Sequence, residues 1–162
     1  MKAIVYPGSI ERITVIADSA IGRDVQPLFL PPGPWVGALA WACRIGRLGK
    51  SVAPKFAIRY ADAIAPALLT TPPSPVPAWA AIADCALIPG AWQPLAADYE
   101  PEPASGNLPA QPSVDEICHA VADITRLATV KTGDIIVFSP GVPFPLHPGM
   151  TVCAPGLAVR TK

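Results

Sequence analysis

Residues 38 to 66, Ala38-Leu-Ala-Trp-Ala-Cys-Arg-Ile-Gly-Arg-Leu-Gly-Lys-Ser-Val-Ala-Pro-Lys-Phe-Ala-Ile-Arg-Tyr-Ala-Asp-Ala-Ile-Ala-Pro66, decide how the rest of the chain is read. Leu39, Trp41, Cys43 and Ile45 alternate with Ala38, Ala40, Ala42 and Arg44. This is the period-two pattern of a strand with unlike faces, one bulky and one nearly bare. Gly46 and Gly49 bracket Arg47 and Leu48, with Lys50 just beyond, and glycines there let the chain reverse through positive φ at little steric cost. Val52, Phe56, Tyr60 and Ile64 then recur every four residues, with Pro54 at the start and Pro66 at the end. That spacing predicts a helix with proline in its first turn, stopped by Pro66.

Around this stretch the composition sets limits. At 162 residues a single domain spanning 1–162 is expected, long enough to bury about two thirds of its unfolded surface. Apolar residues make up 51% and charged ones 15%, yet no run approaches the ~18 consecutive apolar residues of a bilayer-spanning helix, so the reading is a soluble protein with no membrane partner. Twelve basic residues balance twelve acidic ones, which leaves no field to attract nucleic acid. Cys43, Cys85, Cys118 and Cys153 lack zinc-type spacing and read as small buried hydrophobes. The N-terminus lacks the long apolar centre of a cleavable signal, so the expected compartment is a reducing cytoplasm. Twenty-two prolines, well above the usual ~5%, limit helix and favour strands joined by loops.

Before the central stretch, Ala3–Tyr6 and Arg12–Ala17 read as a hairpin split by Pro7-Gly8-Ser9, and Pro27–Trp35 holds at most a short edge strand. After it, residues 67–112 form a Pro-rich irregular section, in which Trp79–Leu87 fits either a short helix or a strand. Ser113-Val-Asp-Glu116 is a capping box, followed by the apolar stripe Val114, Ile117, Cys118, Val121, Ile124 and Leu127 of an amphipathic helix. Strands are expected at Ile135–Phe138, Met150–Ala154 and Leu157–Arg160, with a loop over Ser139–Pro145. Short strands with tight turns suggest a curled sheet or barrel.

Several pieces in this order resemble the fumarylacetoacetate hydrolase family, in particular its members similar to 2-keto-4-pentenoate hydratases and acylpyruvases. They are Asp18-Ser-Ala20, Pro27-Leu-Phe-Leu-Pro31, Arg44-Ile-Gly-Arg-Leu-Gly-Lys50 with Phe56-Ala-Ile-Arg-Tyr60, Val114-Asp-Glu-Ile117 and Thr132-Gly-Asp-Ile-Ile136. The resemblance implies an α+β, mainly β fold, a mixed β-roll or barrel with a few peripheral helices, usually dimeric. It also implies enzymes that bind Mg²⁺ or Mn²⁺ through three carboxylates and act on C–C bonds next to a keto acid. A hard divalent cation needs clustered oxygens, which two carboxylates two residues apart on one strand face supply. Where the family has that Glu-x-Glu pair, this chain has Ala38 and Ala40; the third ligand position falls at Leu69, with Pro73 and Ser74 at the following Arg-Asp. The lysine of a Lys-Pro-Asp-Ser-Ala segment becomes Ile16, a second lysine falls at Ala81, Val5–Ser9 has no histidine, and the Thr-Gly-Thr-Pro loop becomes Phe138-Ser-Pro-Gly141. The sequence therefore predicts a divergent member without metal, and without the Lewis acid and base of the inherited chemistry.

Arg44, Arg47 and Lys50, with Arg59, are candidates to bind a small carboxylate bidentately, and Asp84 is the candidate acid; a solvated turn and helix surface is the plainer account. Asp62 reads as a solvated helix residue, Cys43 as core, and His119 and His147 as surface. Trp35, Trp41, Trp79 and Trp92 either fill the space left by metal and substrate or are ordinary core. Two functions follow: a non-catalytic structural or small-acid-binding protein, forming a homodimer or a hetero-oligomer with an active relative; or a hydrolase or lyase of a small keto acid with a site rebuilt from Arg44, Asp84 or Cys43.

Overall fold

The computed structural model describes residues 1–23, 27–73 and 82–162; Ser74, Trp79 and Ala81 lie outside the described residues. The N-terminal hairpin forms as the sequence pattern predicts, from β1 (Lys2–Tyr6) and β2 (Thr14–Ala17), with Ile10–Arg12 turning between them. The long central strand, β3, runs Trp35–Ile45. Next come a single helical turn, α1 (Pro54–Ala57), and a second long strand, β4 (Ala61–Thr71). Short strands β5 (Leu87–Pro89) and β6 (Gln93–Pro94) pair with β4, and α2 (Val114–Leu127) follows. The chain ends with β7 (Ile135–Phe138), β8 (Phe144–Leu146), β9 (Thr151–Ala154) and β10 (Leu157–Arg160). The principal sheet has the order β2-β1-β7-β3-β4-β5, with β6 also on β4 and β8 also on β3, while β9 and β10 form a separate pair. The fold is mainly β, a curled half-barrel sheet with short helices at its periphery.

The main departure from the sequence expectation lies after the central turn. The predicted helix ends at Ala57, followed by one 3₁₀ turn at Ile58–Tyr60, and Ile64 and Pro66 sit inside β4. Ala61, Ala63, Ala65 and Ala67 alternate with Asp62, Ile64, Pro66 and Leu68, so the segment carries period two as well as period four. Pairing settles the choice, because Ala67, Ala65 and Ala63 meet Ala40, Ala42 and Arg44 across the ladder. Pro66 is tolerated for a geometric reason. Its carbonyl accepts from Gly90 N–H at 2.8 Å, and an antiparallel residue directs its nitrogen to the same side. That side faces the interval between β5, which pairs with residues 67–69, and β6, which pairs with 63–64, so no ladder donor is lost.

Part of the section expected to be irregular is therefore strand, namely the end of β4 with β5 and β6. The loop expected over Ser139–Pro145 contains the start of β8, which pairs with Trp35–Gly37. The glycines of the central turn also act differently from expectation. Positive φ falls on Ser51 (50°) rather than on Gly46 or Gly49. Those two are needed for close approach: a Cβ on Gly46 would meet Asp62 at 2.8 Å, and one on Gly49 would meet Tyr60 at 2.6 Å.

The bulky face of the sheet carries two packed clusters. Ile117, Ala120, Val121 and Ile124 of α2 cover Ile4, Tyr6, Cys43, Ile45, Ile136 and Phe138. Leu39 and Trp41 share a second cluster with Leu28, Trp35, Leu68, Ile88 and Val159. The capping box forms, with Ser113 Oγ accepting from Glu116 N–H at 3.2 Å and Glu116 Oε2 accepting from Ser113 N–H at 2.7 Å. The ends of the predicted stripe, Val114 and Leu127, overhang the sheet and stay exposed. No helix among the described residues is long and apolar enough to cross a membrane.

Two buried polar groups tie these layers together. Asp134 accepts from Lys2 N–H (3.0 Å), Lys2 Nζ (2.6 Å) and Lys131 N–H (2.9 Å), fixing the start of β1 beside that of the parallel strand β7. Thr125 Oγ accepts from Val52 N–H at 3.0 Å and donates to Ala122 C=O, anchoring the central turn to α2. Replacing Asp134→Ala strands three donors and is expected to cost about 3 kcal/mol in urea unfolding, with Asp134→Asn losing less. Thr125→Val leaves the Val52 amide without its acceptor and is expected to cost about 1–3 kcal/mol by the same measurement. Wild-type stability in either alanine or valine variant would contradict these roles.

Candidate functional site

The bare face of β3 meets the bare face of β4. Ala38 lies opposite Leu69, Ala40 opposite Ala67 and Ala42 opposite Ala65, so the three positions at which the resemblance places metal ligands fall on one face of adjacent strands. Ala40 and Ala42 are fully buried, in a cluster with Ile16, Ala20, Ile21, Ala67, Leu87, Ile135 and Val137, and Val5, Leu69 and Trp92 pack against it. Burial of each larger side chain here contributes roughly 1.5–3 kcal/mol. Ile16, at the position of the family's lysine, is part of this filling.

Mg²⁺ or Mn²⁺ would need several oxygen ligands converging on this face. The side chains present are methyl, isopropyl and butyl groups and an indole, and the strand amides and carbonyls are engaged in the ladder. These residues do not fit such an ion. Among the described residues no three His, Cys, Asp or Glu side chains come together as a metal site. The buried hydroxyl next in the strand, Thr70 Oγ, donates to Cys85 C=O at 2.9 Å.

The candidate polar residues are dispersed. Arg44 grips Asp62 with two hydrogen bonds, Nε to Oδ1 at 2.9 Å and Nη2 to Oδ2 at 3.3 Å, and lies 5.5 Å over the Trp92 ring. Both partners are about 40% exposed, so this pair is worth at most about 1 kcal/mol. Arg47 is exposed in the turn. Lys50 Nζ donates to Leu127 C=O at 3.1 Å, where its charge complements the C-terminal end of α2. Arg59 stands over Phe56. Asp84 is exposed beside Cys85, near Trp35 and the Gly37–Thr70 end of the β3–β4 ladder. Arg44 pairs with Ala63, seven residues further along, which is about 20 Å. Arg44 and Asp84 therefore do not meet, and the partner of Arg44 is Asp62, which lies in β4 and not on the solvated helix that the sequence pattern predicts.

Cys43 is fully buried between α2 and the sheet, and burial pushes its thiol up to about 12, reinforced by Asp62 and opposed by Arg44. His147 is an exposed turn residue. Of the described tryptophans, Trp92 packs on the alanine face, while Trp35 and Trp41 belong to the opposite cluster. Residues buried in the same cluster as Ala40, such as Ile21 and Leu87, carry no motif; in the sequence they are apolar residues beside turns, indistinguishable from any other core position.

A scan against protein-family models finds no match, and a search of curated proteins finds none. Solved structures do match over almost the whole chain. A 2-hydroxyhepta-2,4-diene-1,7-dioate isomerase from Mycobacterium marinum is 18% identical, with 99% of this chain and 73% of that one covered and a TM-score of 0.77. A maleylpyruvate hydrolase from Sphingobium sp. SYK-6, solved with manganese(II) and pyruvate, is 21% identical, with 99% and 70% covered and a TM-score of 0.72. A protein from Yersinia pestis CO92, assigned to the fumarylacetoacetate hydrolase family, is 16% identical, with 99% and 92% covered and a TM-score of 0.74. At these identities the likeness speaks for architecture, and this chain has the fold of the fumarylacetoacetate hydrolase family.

Proposed function

We propose that this protein is a divergent, non-catalytic bearer of its fold, with a structural or small-acid-binding role. The observation that carries the reading is the apolar packing around fully buried Ala40, with half-buried Ala38 and Leu69 beside it on the same face, where clustered carboxylates would be required. Removing those carboxylates also removes their mutual repulsion, so the fold needs no ion for stability. A partner is part of the proposal: a second copy of the chain or an active relative, as the resemblance implies. All four cysteines are free of disulfides, which suits a cytoplasmic protein.

Purified protein is expected to carry no stoichiometric Mg²⁺ or Mn²⁺ by elemental analysis and to leave acylpyruvates and oxaloacetate unturned with either ion added. Metal-dependent turnover above a buffer blank would overturn the proposal. Ala40→Glu tests the packing directly. A carboxylate placed among Ile16, Leu87 and Val137 is expected to lower Tm sharply, and millimolar Mn²⁺ should not restore it. Rescue by Mn²⁺ would mean that a latent ligand shell survives.

The competing reading, a site rebuilt for a small keto acid, gains no support from residues as far apart as Arg44 and Asp84 or from a thiol as buried as Cys43. It makes a separable claim, since a nucleophilic Cys43 must react in the native state. With a thiol reagent at mildly alkaline pH, exposed Cys153 is expected to react first and Cys43 only on unfolding. Fast native labelling of Cys43, read by peptide mass, would favour the rebuilt enzyme.

A further inference from the structure

A cavity of about 540 Å³ opens where the parallel strands β1 and β7 end, lined by Tyr6 and Phe138 at their last residues. These two side chains belong to the α2 side of the sheet, whereas Val5 and Val137 belong to the alanine face. The cavity is therefore separate from the filled space around Ala40. The C-terminal ends of parallel strands are where open sheets commonly receive ligands. Phe138, Pro109 and Pro112 supply flat apolar walls, and Glu116, His119 and Ser139 supply polar groups.

Glu116 and His119 are set to accept hydrogen bonds, while the Ser139 hydroxyl can donate or accept. Glu116 uses Oε2 to accept from Ser113 N–H and Ser113 Oγ–H at 2.7 and 2.8 Å, and among the described residues no donor reaches Oε1. His119 Nδ1 lies 2.7 Å from Asp115 C=O. A carbonyl can only accept, so Nδ1 carries the proton and a neutral ring leaves Nε2 as an acceptor. Tyr6 gives its hydroxyl proton to Asp123 at 2.7 Å, so it does not offer that donor to the cavity. Among the described residues the lining contains no Lys or Arg. The positive end of α2 is already met by Asp115 and Glu116, which leaves no attraction for an anion there. An anionic keto acid would meet Glu116 as a like charge, whereas an ammonium group would be bound by a charge-assisted hydrogen bond.

We propose that this cavity binds a small aromatic amine, its ring against Phe138, Pro109 and Pro112 and its ammonium donating to Glu116 and His119 Nε2. The ligand groups named here, Glu116 and His119, stand on α2, and the proposal invokes no chemistry at the alanine face. Phenethylamine titrated into the full-length protein and followed by NMR should give saturable shifts at Tyr6 and Phe138, with phenylpyruvate as the anionic comparator giving none. Glu116→Gln keeps a side-chain acceptor for the cap and should retain wild-type helicity by circular dichroism while weakening phenethylamine at least about tenfold. His119→Ala, outside the cap, should weaken it several-fold. Absence of saturation at millimolar phenethylamine, undiminished affinity in Glu116→Gln and His119→Ala, or equal binding of phenylpyruvate would each overturn the proposal.

Discussion

The ladder between β3 and β4 is the constraint from which the rest of the structure follows. It runs from Val36–Thr71 to Ile45–Ala61 with one irregularity, at Arg44 and Ile45. Because side chains alternate strictly across a strand, this register sets alanine against alanine on one face and places Leu39–Leu68, Trp41–Pro66 and Cys43–Ile64 on the other. A slip of one residue would exchange the faces and bring the large side chains to the space that the alanines leave narrow. The glycines at 46 and 49 serve the same arrangement, since they let Asp62 and Tyr60 approach the turn that follows β3.

That register also determines what the alanine face can do. A metal site needs oxygen ligands in a partly polar, hydrated hollow, and a close-packed apolar layer is its physical opposite. Ile16, Ile21, Leu87 and Val137 occupy the region in front of Ala40 with side chains that cannot coordinate an ion. The polar residues nearest the pattern of an active site have other work: Arg44 holds Asp62, Lys50 closes the end of α2, and Asp134 joins β1 to β7. Each of these ties two elements together, so their charges are engaged in the fold.

The other face is organised by α2. Its buried stripe covers the parallel pair β1–β7 and encloses Cys43, while its first two turns leave Glu116 and His119 beside a cavity. The two sides of one sheet have thus been treated oppositely, one filled and one left open at the strand ends. The acceptor-rich lining of the open side differs in sign from what an anionic substrate would require.

The sequence by itself determined the local elements that depend on neighbours in the chain. The alternation in residues 38–45, the Ser113–Glu116 cap with its stripe, and the hairpin at the N-terminus rest on short-range sterics and hydrogen bonds, and each appears where the pattern places it. The motif order carried enough long-range information to indicate the fold, and Ala38 and Ala40 could be read only through the resemblance, at the positions where the family has its Glu-x-Glu pair. Only the tertiary structure decided that residues 61–71 form a strand, because their four-residue and two-residue periods coincide and the pairing with β3 breaks the tie. It alone placed Asp62 on Arg44, kept Asp84 near the opposite end of the β3–β4 ladder, and brought His119 and Ser139 to one cavity. Such contacts join residues distant in sequence, and no local periodicity encodes them. The strand that first identified the fold therefore owes its chemical character to the partner strand that packs beside it.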